Sequence, residues 1–314
     1  MADSILIMYH NQSQDVDSTA IPEYSFSRVT TRGIIGVTRC NIVVQADAVF
    51  TRSVLDAVHR FTKKRVGGVS IDAVASQSDE ETLELIETLG RQSDVFALLG
   101  KNTEPVELRR FGMPVIALGT DLDANVRSTY IGADNRAAGH LAGFIFGRCL
   151  EREFGAQVAI IASDFSYRCW EDREIGFRSL LRRRFPQIEI VEVVTESHSP
   201  QATCEATLSV LGHGRPVGGI YSVAGENQGL AQAISEIPLR RRPLFITHES
   251  DEATEPLLRA GVIDFLITHN WESIMNVVRR FLIALRTGNV WRGNVNLVPI
   301  ELVSKFNLQS RTSL

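Results

Sequence analysis

Tyr130-Ile131-Gly132-Ala133-Asp134-Asn135-Arg136-Ala137-Ala138-Gly139 carries a short apolar strand straight into a small-residue helix start. An Asp-Asn pair turns the backbone between them, and both side chains suit the capping of the free N–H groups of the helix that follows. In open α/β sheets, such strand-to-helix junctions are also where ligands bind. Asp134 and Asn135 therefore read either as an ordinary helix cap or as the edge of a site.

Upstream of this junction, apolar strand runs alternate with amphipathic helices. Ile42-Val43-Val44 precedes a helix with Val54, Leu55, Val58 and Phe61 on one face. Val66 to Val74 reads as the next strand, and Ser78-Asp79-Glu80-Glu81 as a capping box opening a helix. Val95 to Leu99, Val115 to Leu118 and Thr129 to Ile131 are further strands. Downstream the alternation begins again, with strands at Val158 to Ile161, Ile188 to Val194, Gly219 to Tyr221, Leu244 to Thr247 and Phe265 to Thr268. A long helix then carries Ile274, Val277, Val278, Phe281, Leu282 and Leu285 on a wide apolar stripe. Continuous apolar strands joined by helices predict parallel sheets covered on both faces. About ten strands exceed what one open, twisted sheet commonly holds. The chain is thus predicted to be α/β, with two doubly wound parallel-sheet (Rossmann-like) lobes.

With 314 residues, two lobes of ordinary size are expected, and 44% hydrophobic content supplies their cores. A net charge of −4 argues against nucleic-acid binding through bulk positive charge. The runs Arg182-Arg183-Arg184 and Arg240-Arg241-Arg242 read as a solvated helix end and a loop. The four cysteines are far apart and form no CxxC pair, so no zinc site is expected. No basic leader or long apolar stretch opens the chain, and the expectation is a cytoplasmic protein with reduced thiols and no membrane association. Residues 1–33 lack sustained periodicity and read as an irregular leader.

The sequence offers no catalytic constellation: GxGxxG after a strand, GxxxxGK[ST], HExxH and GxSxG are all missing. Neither a metal nor a cofactor is expected. His248 and His269 each follow a strand, where a hydrogen-bonded histidine without catalytic duty is the ordinary outcome. Polar and aromatic residues recur directly after strands: Phe50, Asp121, Tyr167, Arg168, Arg173, Glu226, Asn227, Glu249 and Asn270. In parallel sheets the C-terminal strand ends point one way, so these groups converge on one edge of each lobe. Carboxylates and amides share hydroxyl hydrogens, arginine donates in a planar fork, and an aromatic face covers the apolar side of a sugar ring. The set suits a neutral polyhydroxylated ligand.

With these residues in place, the chain resembles the effector-binding domain of the lac-repressor family of transcription regulators, which is similar to periplasmic sugar-binding proteins of the ribose-binding type. The segments that carry the resemblance are Tyr130 to Ala142, Arg173-Glu174-Ile175-Gly176-Phe177-Arg178, Gly219-Ile220-Tyr221 through Glu226-Asn227-Gln228-Gly229-Leu230-Ala231, and Thr268-His269-Asn270. The resemblance implies two lobes joined by a three-crossover hinge, a periplasmic-binding-protein type I arrangement with ligand in the cleft. It implies crossovers at Asp134-Asn135, near Asn270 and near 291–296. The first lobe would comprise 34–134 with 270–293, and the second 135–269 with 294–314. Arg173 matches a ligand-clamping arginine, Glu249 stands in an aspartate slot, and Asn270 in a slot often held by glutamine. Asn227 or Glu226 matches an Asn/Asp ligand position, Phe50 the aromatic after the first strand, and Asp121 lies near an acidic position after the fourth.

The function this implies is a small-molecule sensing domain, not an enzyme. A sugar or polyol effector would bias the cleft and so the DNA-binding heads of a homodimer. Operator DNA would be read only through a helix-turn-helix, for which residues 1–33 have neither the length nor the periodicity. The alternative is the solute-binding protein of a sugar import system. Arg173→Ala is expected at this level to abolish ligand-induced stabilisation and to spare the fold.

Overall fold

The computed structural model describes residues 37–308 apart from 47, 63–67, 102–110, 153–154, 162–165, 194–198, 213–215, 224–226, 239–241, 290 and 292. The expected irregular leader over 1–33 and the candidate Glu226 lie outside the described residues.

The first half runs β1 (Thr38–Gln45), α1 (Ala48–Thr62), β2 (Val69–Ser76), α2 (Asp79–Gly90), β3 (Val95–Leu99), β4 (Val115–Leu118) and β5 (Thr129–Ala133). The second half runs α3 (Asn135–Leu150), β6 (Gln157–Ile161), α4 (Arg168–Arg184), β7 (Glu189–Val193), α5 (Pro200–Gly212), β8 (Val217–Ser222), α6 (Asn227–Ser235), β9 (Leu244–His248), α7 (Thr254–Arg259) and β10 (Phe265–His269). Then come α8 (Trp271–Arg286), β11 (Val295–Val298) and β12 (Ile300–Val303). Two six-stranded sheets result, ordered β11-β5-β4-β3-β1-β2 and β12-β10-β9-β8-β6-β7. Both are parallel except at one edge, where β12 runs antiparallel to β10.

Each sheet is packed on both faces, which is why its central strands are apolar runs without alternation. In the first lobe, α8 brings Ile274, Val278 and Phe281 against Ile42, Val44, Ile116 and Ile131, while Ile86 and Leu122 cover the opposite face with Phe96 and Tyr130. In the second, Phe146 and Phe177 from α3 and α4 meet Tyr221 and Ile267, and Leu230, Ile234 and Leu258 close the other face on Phe245. Fully burying each such side chain contributes roughly 1.5–3 kcal/mol. At the α2 start Ser78 is the cap, accepting from the Glu81 N–H as expected, while the Glu81 carboxylate accepts from the N–H of Gln77, one residue before the cap, rather than from the cap's own N–H.

The chain passes between the lobes three times. At the first passage Asp134 caps α3, accepting from the Ala137 N–H at 2.9 Å. At the second, Asn270 caps α8, accepting from the Ser273 N–H at 2.8 Å. The third corrects the expected boundary. Residues 294–298 do not join the second lobe, because β11 pairs with β5 in the first sheet and the Asn294 carbonyl already accepts from Tyr130 N–H. The crossover lies at Pro299, between β11 and β12, and not over 291–296. Proline has no N–H to extend either ladder, so it marks the switch from one sheet to the other. No helix among the described residues is long and apolar enough to cross a membrane.

Candidate functional site

In each sheet the strand order reverses beside the first strand: β1 lies between β2 and β3, and β6 between β7 and β8. The connections leaving such neighbours run to opposite faces, which opens a crevice at the C-terminal strand ends. Tyr167, in the connection after β6, donates its hydroxyl proton to the Gln45 carbonyl at the end of β1, 2.9 Å away. The two crevices therefore face each other. Cys169 N–H donates to Thr120 Oγ1 at 3.2 Å across the same gap. At its rim, Arg52 of α1 meets Glu252 at 2.5 Å, an exposed pair whose energetic weight in water is small.

One buried hydrogen-bonded chain runs along the second lobe toward the first crossover. Arg173, only 4% exposed, sits one turn into α4. Its Nε donates to Asn135 Oδ1 at 3.0 Å, Nη1 to the Val223 carbonyl at 3.2 Å, and Nη2 to Glu249 Oε1 at 3.0 Å. Asn135 Nδ2 donates onward to the Gly119 carbonyl and to Tyr130 Oη in the first lobe. Asp134 is thus the helix cap, and Asn135 spans the crossover. Gly119 takes φ +72°, a left-handed conformation that needs glycine as the chain turns after β4.

Glu249 ends the chain. Its Oε1 accepts from His269 Nδ1 at 2.6 Å as well as from Arg173. Among the described residues it is the one non-glycine at positive φ, +65°. Such a conformation costs on the order of 1–3 kcal/mol and persists where its surroundings hold it. Here the Ile267 carbonyl accepts its N–H, while Arg173 and His269 hold its carboxylate. Burial alone would raise the Glu249 carboxyl, but His269 and Arg173 outweigh it and hold the group below its usual range. It is a carboxylate.

Aromatic rings border this network. Trp271, the first residue of α8, lies 5.6 Å from the His269 ring and 5.9 Å from that of Phe50. On the second lobe Tyr167 packs on Trp170 at 4.5 Å. Aromatic faces of this kind can cover the apolar side of a small ring carrying hydroxyl groups.

Of the sequence-predicted residues, Arg173, Glu249 and Asn135 are brought into one network, Tyr167 stands at the lobe boundary, and Phe50 packs on Trp271 against the first lobe's core. Three others are held in separate pairs. Asp121 is gripped by both Nε and Nη2 of Arg127, whose Nη1 donates to the Asn294 carbonyl. Asn227 Oδ1 accepts from Thr247 Oγ1 at 2.7 Å, and Asn270 Nδ2 donates to Glu301 Oε1 at 2.5 Å. Arg168 is exposed at the start of α4. Gln45, Thr120, Trp271 and Arg127 are not among the sequence-predicted residues, and His248 and His269 are expected there only as ordinary hydrogen-bonded histidines. The position of both histidines at strand ends was the available signal.

His248 accepts from or donates to Tyr221 Oη at 2.8 Å, wholly inside the lobe. Burial pushes its imidazole well below the ordinary value, and Arg173 and His269 push the same way. It stays neutral in the fold, whereas the unfolded chain takes up a proton below about pH 6.5. Stability should therefore fall as pH drops below that value, by up to about 1.4 kcal/mol per unit. Urea midpoints at pH 7.5 and 5.5 measure this, and His248→Gln should narrow the difference between them. An equal difference in the variant would remove His248 as the cause.

A sequence profile described as periplasmic binding protein domain matches residues 106–289. Among solved structures, a glucose-galactose binding protein from Geobacillus stearothermophilus is similar with a TM-score of 0.74 and 20% identity, over 87% of this chain and 99% of that one. A carbohydrate transporter solute binding protein from Agrobacterium radiobacter, in complex with D-arabinose, gives 0.74 and 18% identity over 88% and 97%. An arabinose binding protein, also from Geobacillus stearothermophilus, gives 0.71 and 18% over 87% and 98%. At these identities the likeness is one of fold, with two α/β lobes of the periplasmic-binding-protein type. No curated protein shows significant sequence similarity to this chain.

Proposed function

This chain belongs to the periplasmic binding protein domain family, and we propose that it binds a sugar or related polyol in the cleft between its lobes, as the solute-binding protein of an import system. The observation that carries this reading is the hydrogen bond from Tyr167 to the Gln45 carbonyl, which sets the ligand-binding edges of the two sheets face to face. Between them lie a buried arginine-carboxylate-imidazole network and rings suited to covering a pyranose or furanose. The solved structures most useful for comparison carry names that describe glucose-galactose and arabinose binding, which favours the same ligand class.

A thermal-shift screen with D-arabinose, D-galactose, D-glucose, D-allose and myo-inositol tests this. A ligand at a hundred times its Kd should stabilise the fold by about 2.7 kcal/mol. Unmoved melting curves at millimolar concentrations of every probe would sink the reading.

One observation favours a second role for the same cleft. Cys40, Cys169 and Cys204 are buried, Cys149 is exposed, and all four are unpaired. Exported proteins usually pair their cysteines, so free thiols favour a cytoplasmic chain and with it the effector domain of a dimeric, lac-repressor-like regulator. The reading frame upstream separates the two roles. A helix-turn-helix there means a regulator and an export signal means import.

A further inference from the structure

Tyr167 stands at a helix cap and does not act as one. It is the N-cap residue of α4, a position that favours Ser, Thr, Asp or Asn, and its side chain makes no capping hydrogen bond. The hydroxyl instead crosses to the first lobe and donates to the Gln45 carbonyl at 2.9 Å, a bond buried from water. Trp170, in the first turn of α4, packs on the Tyr167 ring at 4.5 Å and supports it in that direction. Gln45 ends β1, the strand at which the order of the first sheet reverses. The hydroxyl therefore reaches the topological switch point, the place at which an open α/β sheet receives a ligand.

A sugar offers the same chemistry, a hydroxyl donor for a carbonyl and an apolar ring face for an aromatic neighbour. Tyrosine supplies both from within the chain. Its contact is intramolecular, so it forms at a high effective concentration and gives up no freedom of a separate molecule. Neighbouring polar groups are engaged internally as well. Arg173 holds Asn135 and Glu249, Arg127 holds Asp121, and Asn227 accepts from Thr247. The bond from Cys169 N–H to Thr120 Oγ1 draws the same two lobes together.

We propose that Tyr167 is an internal competitor for the cleft: its hydroxyl and ring hold the lobes together at the end of β1, and a ligand reaches that position by displacing them. The inference rests on the cleft being the ligand site, and it adds a means of regulating that site. Where only a fraction of molecules is competent to bind, the apparent affinity falls by that fraction. Removing the hydroxyl enlarges the competent fraction, and one neutral hydrogen bond corresponds to roughly two- to tenfold.

Two measurements on the full chain test it. Tyr167→Phe keeps the ring on Trp170 and loses the hydroxyl, whereas Tyr167→Ala removes both. In solution scattering with no sugar added, the radius of gyration should rise in Tyr167→Ala and by less in Tyr167→Phe, with circular dichroism unchanged. Radii equal to that of the wild type in both variants overturn the proposal; if Tyr167→Ala unfolds, Tyr167→Phe alone decides. Calorimetric titrations with D-galactose and D-arabinose should then show binding about two- to tenfold tighter in Tyr167→Phe than in the wild type. Weaker binding would make Tyr167 a ligand contact and equal binding a bystander, and either overturns the competition. Binding of neither sugar by any of the three proteins is the failure of the cleft reading itself, and the scattering still decides whether Tyr167 holds the lobes together.

Discussion

Arg173→Ala is expected to lower the unfolding free energy by about 3–5 kcal/mol, a loss read from urea denaturation at neutral pH. The guanidinium is 4% exposed and bonds three partners at once, so its removal leaves more than a gap. Glu249 keeps His269 but loses its permanent cation, and the Val223 carbonyl and Asn135 Oδ1 lose their donors. A buried charge stripped of its partner costs far more than the pair contributes, because the remaining group is desolvated and uncompensated. The expectation drawn from sequence, that this substitution would spare the fold, therefore does not survive the burial of the side chain. A second variant separates the causes. Replacing both members, Arg173→Met with Glu249→Leu, removes the two charges together and should recover much of the loss. If the double variant is no more stable than Arg173→Ala, the unpaired carboxylate is not the main term. If Arg173→Ala alone unfolds at the wild-type midpoint, the network has little bearing on stability.

The two-lobe architecture was legible because central strands buried on both faces leave uninterrupted apolar runs, and helices between them leave a single stripe. That signal fails at sheet edges. In β11 and β12 the exposed Val295, Leu297 and Leu302 share their strands with polar residues, so neither strand stands out as an apolar run. The third crossover was misplaced for that reason. Arg173 and Glu249 were legible as polar groups placed just past strands or at a helix start, where convergence follows from parallel topology. Gln45, Thr120 and Trp271 were not, since their significance lies in how one lobe approaches the other. No periodicity within a lobe encodes that approach. Asp121 was legible as a position but not as a role, because Arg127, six residues on, claims both carboxylate oxygens. His269 illustrates a further limit. A lone histidine at a strand end is usually satisfied, and only the folded arrangement separates its paired nitrogen from its unpaired one.

Gly139→Ala should destabilise the fold by about 1–3 kcal/mol and weaken ligand binding besides, although alanine is the better helix former by nearly 1 kcal/mol. A methyl group at Gly139 would overlap the Arg173 carbonyl and crowd the Phe177 amide, and one at Gly176 would overlap the Arg136 carbonyl. The two glycines let α3 and α4 approach backbone to backbone, and no rotamer change can relieve a clash with main chain. The helices must separate. Arg173 rides on the very turn that would move, so its bond to Asn135 across the first crossover lengthens with the displacement. Gly212→Ala is the contrasting case, since a methyl at the exposed end of α5 meets nothing within 4 Å. It should be neutral to within about 0.5 kcal/mol. Urea midpoints for the two variants, with sugar titrations on each, check both halves of the expectation. Equal midpoints would show that α3 and α4 tolerate separation. A lowered midpoint with unchanged affinity would show that the helix crossing supports the fold without setting the geometry of Arg173.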